Sequence, residues 1–132
     1  MVRPVYEEAP DVKERLRHLV EVLGFSHVDL SRVFCVRSRG ARTRAIARIY
    51  CLPRVWREVL GLPPMYVVEV VSEKFDQLSQ EEKDLVLIHE LLHIPKGFTG
   101  GLRRHGPHVN DRVARELLKR LKSGGRKYKL GR

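Results

Sequence analysis

The run His89-Glu90-Leu91-Leu92-His93 sets two imidazoles four residues apart with a carboxylate beside the first. On a helix, residues i and i+4 share a face about one turn apart, so both histidines can ligate one zinc ion. Glu90 is rotated by about 100° from His89 and still borders that face. A general base for a metal-activated water has to sit there. Between Leu85 and Ile94 the motif residues are the only polar ones. Burying a carboxylate and two imidazoles is costly unless something compensates, and a metal does.

A catalytic zinc site takes a third protein ligand and leaves one position open. The segment Arg104-His105-Gly106-Pro107-His108 offers two histidines. Residues 94–104 are long enough to reverse the chain and bring His105 back to the metal. His105 is favoured because Gly106 allows close backbone approach, and His108 is the fallback. Asp111 is the nearest candidate to orient a ligand imidazole, and an i,i+4 pair with Arg115 is its plainer role.

The elements that must position these residues are legible in outline. Residues 1–10 read as an arm, 11–123 as a single domain and 124–132 as a basic tail. Asp11 caps a helix running to about Leu23, with Val12, Leu16, Leu19, Val20 and Leu23 as its apolar stripe and Gly24 ending it. Val33–Val36 and Ala45–Leu52 read as strands of a hairpin joined by a polar turn at 38–42. Val55–Leu60 reads as a short helix before Gly61-Leu62-Pro63-Pro64. Tyr66–Val71 is continuous and β-branched, which predicts a central strand, with peptide addition there only if it proves to be an edge. Ser79 and Glu82 form a capping box that starts the motif helix, and Pro95 ends it. Pro107 opens a last helix with Val109, Val113, Leu117 and Leu121 on its apolar face, closed by Gly124-Gly125. The expected fold is α+β: a minimal zincin-like domain with a small, mainly antiparallel sheet packed on the motif helix and flanking helices.

The chain has 132 residues, enough for one core and too few for two. No apolar run is long enough to span a membrane, and Arg3, Glu7, Glu8 and Asp11 interrupt any leader-like stretch, which points to the cytoplasm. Cys35 and Cys51 cannot build a disulfide framework and read as small buried hydrophobes. Net charge is +10, with 18 Arg against 8 Lys, one Asn and two Gln. Few amides among many charges point to a thermophilic source. Residues 31–57 hold eight arginines and no acid. The stretch from Lys119 to Arg132 adds Lys119, Arg120, Lys122, Arg126, Lys127, Lys129 and Arg132, also without an acid. Such stretches attract DNA or RNA, with Arg37, Arg39, Arg42, Arg44 and Arg48 as the candidate contacts.

The run from Leu85 to His93, preceded by a β-branched strand and followed by His105-Gly106-Pro107, resembles the SprT-like zinc metallopeptidases, including the Spartan type. It is also similar to compact metallopeptidase families of phages and archaea. The resemblance spans roughly residues 45–121. It implies His89, His93 and His105 as zinc ligands, Glu90 as catalytic base and a protein or peptide substrate. In the Spartan-type branch, that substrate is protein bound or crosslinked to DNA. This sequence carries no Cys-rich C-terminal zinc module, and Val109 stands where an aromatic often follows the His-Gly pair.

The expected activity is hydrolysis of a peptide bond by a Glu90-activated, zinc-bound water, possible targets being proteins held on nucleic acid. Arg103, Arg104 and Tyr128 are candidates to assist at the oxyanion. Two other readings compete. A metal-dependent endoribonuclease uses His-x-x-x-His plus a third His at shorter spacing, where this chain has Phe98 and Thr99. A nucleic-acid-binding module with a structural zinc would need a fourth protein ligand, such as His108.

Overall fold

The computed structural model describes residues 3–129, with side chains as far as Gly124; the side chains of Arg126, Lys127, Tyr128 and Lys129, and the whole of Arg132, lie outside the described residues. The order is β1 (Val5–Glu8), α1 (Pro10–Leu23), β2 (Val33–Arg39), β3 (Ala47–Cys51), α2 (Arg54–Leu60), β4 (Tyr66–Val71), α3 (Ser72–Phe75), α4 (Gln80–Leu92) and α5 (Asp111–Lys129). The result is an α+β fold. None of these helices is long and apolar enough to cross a membrane.

The sheet runs β1-β2-β4-β3. β4 takes the centre, as its apolar run demands, pairing parallel with β2 and antiparallel with β3. The expected hairpin is therefore corrected: β2 and β3 are separated by β4. A tight hairpin needs a loop of about two to five residues. Residues 40–46 instead carry the chain across the width of one strand. The sheet is mixed, antiparallel at both edges and parallel in the middle. β2 also continues through Ser38 and Arg39, which read as turn. The stretch read as an arm contains β1, an edge strand paired antiparallel with β2 from Val5↔Arg39 to Glu8↔Val36. Pro10 enters α1 in its first turn and Ala9 stands at its cap, so Asp11 lies inside the helix.

One face of the sheet carries the core. Val33, Val68 and Val70 meet Leu16 and Leu19 of α1, Leu87, Ile88 and Leu91 of α4, and Leu117 and Leu121 of α5. The last helix begins at Asp111 rather than Pro107. Asn110 caps it, its Oδ1 accepting from the Val113 amide at 2.9 Å. It also runs through Gly124, which serves close packing rather than termination: a Cβ there would lie 3.3 Å from Val22 Cγ1 of α1.

Two buried carboxylates brace this frame. Asp84 of α4 accepts two hydrogen bonds from Arg15 of α1, at 2.8 and 2.7 Å, and one from Gln80 at 2.9 Å. Glu69 lies in the middle of β4 on the face away from the helices, yet it is fully buried. Ser38 of β2 donates to it at 2.5 Å, and from β3 come Tyr50 at 2.5 Å and Arg48 at 3.0 and 3.3 Å. Burial and the bond to Glu69 push the Tyr50 phenol up to about 12, so it stays a donor. The cysteines are free, on β2 and β3.

Burial pushes the Glu69 carboxyl up, but the bonds from Arg48, Ser38 and Tyr50 outweigh it and hold the carboxyl below its usual range. A depressed carboxyl stabilises the fold above the ordinary carboxylate range and loses that contribution as pH falls through its folded value. Arg48 keeps 36% of its side chain exposed, which screens the pair. We expect Glu69→Gln to cost about 2 kcal/mol at pH 7 in urea unfolding. The cost should shrink as pH falls below the ordinary carboxylate range and through the depressed folded value. An undiminished difference in acid contradicts this account.

Candidate metal centre

The motif helix starts as its sequence predicts. The Ser79 hydroxyl accepts from the Glu82 amide at 3.2 Å, and the Glu82 carboxylate accepts from the Ser79 amide at 2.9 Å. Helix α4 then presents Leu87, Ile88 and Leu91 to the core and His89 and His93 on its flank. His93 is the residue at which the helix stops.

The following loop returns under tight restraint. Phe98 adopts a positive φ of 49° and packs edge-on against Tyr66, with ring centroids 5.0 Å apart. The buried Tyr66 hydroxyl accepts from the Gly100 amide at 3.0 Å and donates to the Gly101 carbonyl at 2.9 Å. Arg103 then bonds His93 twice: its amide donates to the His93 carbonyl at 2.7 Å, and its carbonyl accepts from His93 Nδ1 at 2.6 Å. With Nδ1 carrying that proton, Nε2 of His93 is the free lone pair. Two residues on, a turn closed by Gly106 N–H to Val109 O at 3.0 Å and Asn110 Nδ2 to Gly106 O at 2.7 Å presents His105.

His89, His93 and His105 converge, with candidate ligand atoms all within 4.8 Å of one another. Nε2 of His89 and Nε2 of His105 are 3.0 Å apart. Three imidazole nitrogens this close together form a donor set that could hold a metal ion. His108 is exposed and stands apart from the cluster among the described residues. Gly106 is not what brings His105 in, because a Cβ there would meet its nearest neighbour at an ordinary 3.9 Å. The Asn110-capped turn does that work, and lone Asn110 was the overlooked signal. The braces on the loop, Tyr66 and the Arg103 backbone, carry no motif of their own.

Burial first, then the neighbouring His93 and His105, hold His89 below the usual imidazole range, which favours the neutral, ligating form. Asp111 lies 4.0 Å from His89 Nδ1 and is largely exposed, beyond hydrogen-bond reach. Glu90 is buried, and burial alone pushes its carboxyl up to about 7.

Three of the five candidate nucleic-acid arginines are engaged by carboxylates. Arg37 forks onto Asp11 at 3.0 and 2.9 Å and onto Asp76 at 2.8 Å, Arg39 binds Glu7 at 2.9 Å, and Arg48 binds Glu69. Arg42 and Arg44 are exposed.

Comparison with known proteins agrees with this geometry. The sequence model of a family described as "Putative phage metallopeptidase" matches residues 5–124. No curated protein and no solved structure matches the chain.

Purified protein should hold about one zinc per chain by metal analysis. His93→Ala and His105→Ala should each lose most of it, while His108→Ala keeps it. Zinc retained by His93→Ala, or lost from His108→Ala, contradicts this ligand set.

Proposed function

This chain belongs to that phage metallopeptidase family, and from that premise we propose that it is a zinc-dependent peptidase with Glu90 as general base. The observation that carries the reading is the convergence of three imidazoles beside a buried carboxylate. Three protein ligands leave one position open, as catalytic zinc sites do. A fourth protein ligand, which a structural site would use, is not present in the cluster among the described residues.

When bound, the ion supplies Lewis acidity for activating water and polarising a carbonyl. The chain's own residues supply the rest. His93 is held to one tautomer by Arg103, so its ligating nitrogen faces the other ligands. Glu90 takes the proton of the attacking water and passes it to the leaving amine. A carboxyl raised towards neutrality suits both halves of that exchange.

Peptide addition at β4 is excluded by its central place, with β2 on one side and β3 on the other. β3 offers a free sheet edge and packs near α4. An extended substrate can bond to that edge through its backbone. A role for nucleic acid rests on Arg42 and Arg44, the exposed pair in the β2–β3 connection.

Glu90→Gln should keep its zinc and lose at least about 100-fold in casein hydrolysis. Undiminished hydrolysis removes Glu90 as the base. Parallel incubation with RNA separates the nuclease alternative, since cleavage of RNA and not of casein overturns the peptidase reading.

A further inference from the structure

Helix α2 buries none of its residues. Val55, Trp56, Val59 and Leu60 are 65%, 57%, 76% and 56% exposed. They recur at i, i+1, i+4 and i+5, which gathers them on one side of the helix. Together they line a groove of about 230 Å³. A contiguous apolar patch on an otherwise charged chain marks a binding surface.

Another side of α2 packs against the metal-site loop through Arg57. The Arg57 guanidinium lies close to Gly100, where a Cβ would come within 2.7 Å of its Cζ. Gly100 has a φ of +101°, a backbone conformation that favours glycine. The amide of Gly100 bonds Tyr66, and three residues later Arg103 orients His93. At its start, α2 follows the free-edge strand β3 with only Leu52 and Pro53 between. Helix α2 therefore follows the sheet edge directly in the chain and touches, through Arg57, the loop that holds a candidate ligand.

Size and charge narrow the occupant. A helix of seven residues is about 10 Å long. A stable dimer needs about 800 Å² from each partner, far more than this face offers. Two copies, each with a net charge of +10, also repel. A small apolar groove suits a brief contact with a few side chains. We infer that α2 is an exosite on which apolar side chains of an extended polypeptide substrate dock while the chain passes β3 towards His89, His93 and His105. This rests on the peptidase reading proposed above.

Trp56 is the only tryptophan of the chain and reports on this face directly. Zinc-loaded Glu90→Gln protein is titrated with two tryptophan-free synthetic peptides of equal length and charge. One carries leucine at alternate positions and the other serine. Only the leucine peptide should shift Trp56 emission to the blue and protect it from acrylamide. Val59→Asp should abolish the response with unchanged far-UV circular dichroism. In active protein, Trp56→Ser should raise KM for the leucine peptide about tenfold. Equal responses to both peptides, or none, overturn the exosite. So does a blue shift that grows with protein concentration alone, which marks a second copy, or one seen only with phosphatidylglycerol vesicles, which marks a lipid surface. Leucine-selective binding with neither peptide cleaved overturns the peptidase reading and sustains α2 as a polypeptide-docking face. Cleavage without any Trp56 response does the reverse.

Discussion

Two hydrogen bonds between His93 and Arg103 tie the returning loop to the end of the motif helix, and the arrangement of the three histidines depends on them. Two ligands of the cluster come from one helix, and the third must come back from a loop. Ordering each loop residue costs about 1–2 kcal/mol of backbone entropy. That cost is offset at three points: the Tyr66 hydroxyl on Gly100 and Gly101, the ring of Phe98 on Tyr66, and the reciprocal pair at Arg103. The last of these does two jobs with one contact. It closes the loop and fixes the tautomer of His93. A side chain at position 103 has little part in this, because the groups used are backbone.

The loop can be held this way only because Tyr66 is itself immobile. It opens β4, which is paired on both sides, and its ring is fully buried. Helices α1, α4 and α5 pack on one face of the sheet. On the other face, Glu69 gathers Ser38, Arg48 and Tyr50 and ties β2, β4 and β3 together. Asp84 does the corresponding work between α1 and α4 through Arg15. Buried charges of this kind are expensive to break, which makes them suited to fixing register.

Periodicity and capping are local, and what they control was legible. The capping box at Ser79 and Glu82, the stop near Pro95, the stripe of α1 and the central place of β4 can all be read from neighbouring residues. Strand order is not local. Nothing between Arg39 and Ala47 says that β4, far downstream, will slot between two strands that look like a hairpin. The N-terminal strand was hidden for a similar reason: Val5–Glu8 is short and exposed along its length, so it carries no buried face to betray it. At the site, the histidines were visible as a pattern, whereas the choice of His105 depends on the turn around Asn110. The arginine-rich stretch shows the opposite failure. Read linearly it has no acids, but folding brings Asp11, Asp76, Glu7 and Glu69 to it. Linear charge runs overstate free charge whenever strands from distant segments pair.

That redistribution of charge also bears on how the site can exist without collapsing. Three imidazoles gathered within 4.8 Å repel one another when protonated, and a carboxyl raised to about 7 by burial gains little from ionising. Such a cluster works against the fold until a cation binds it. Elsewhere the chain places its carboxylates against arginines, at Asp84, Glu69, Asp11 and Asp76. Among the described buried carboxylates Glu90 is the exception: it lies on the same helix as Asp84 but has burial alone as the cause of its shift. An arginine partner there would fix the carboxylate as an anion and remove its capacity to carry a proton. Leaving it unpaired sacrifices stability at the position proposed above as the general base.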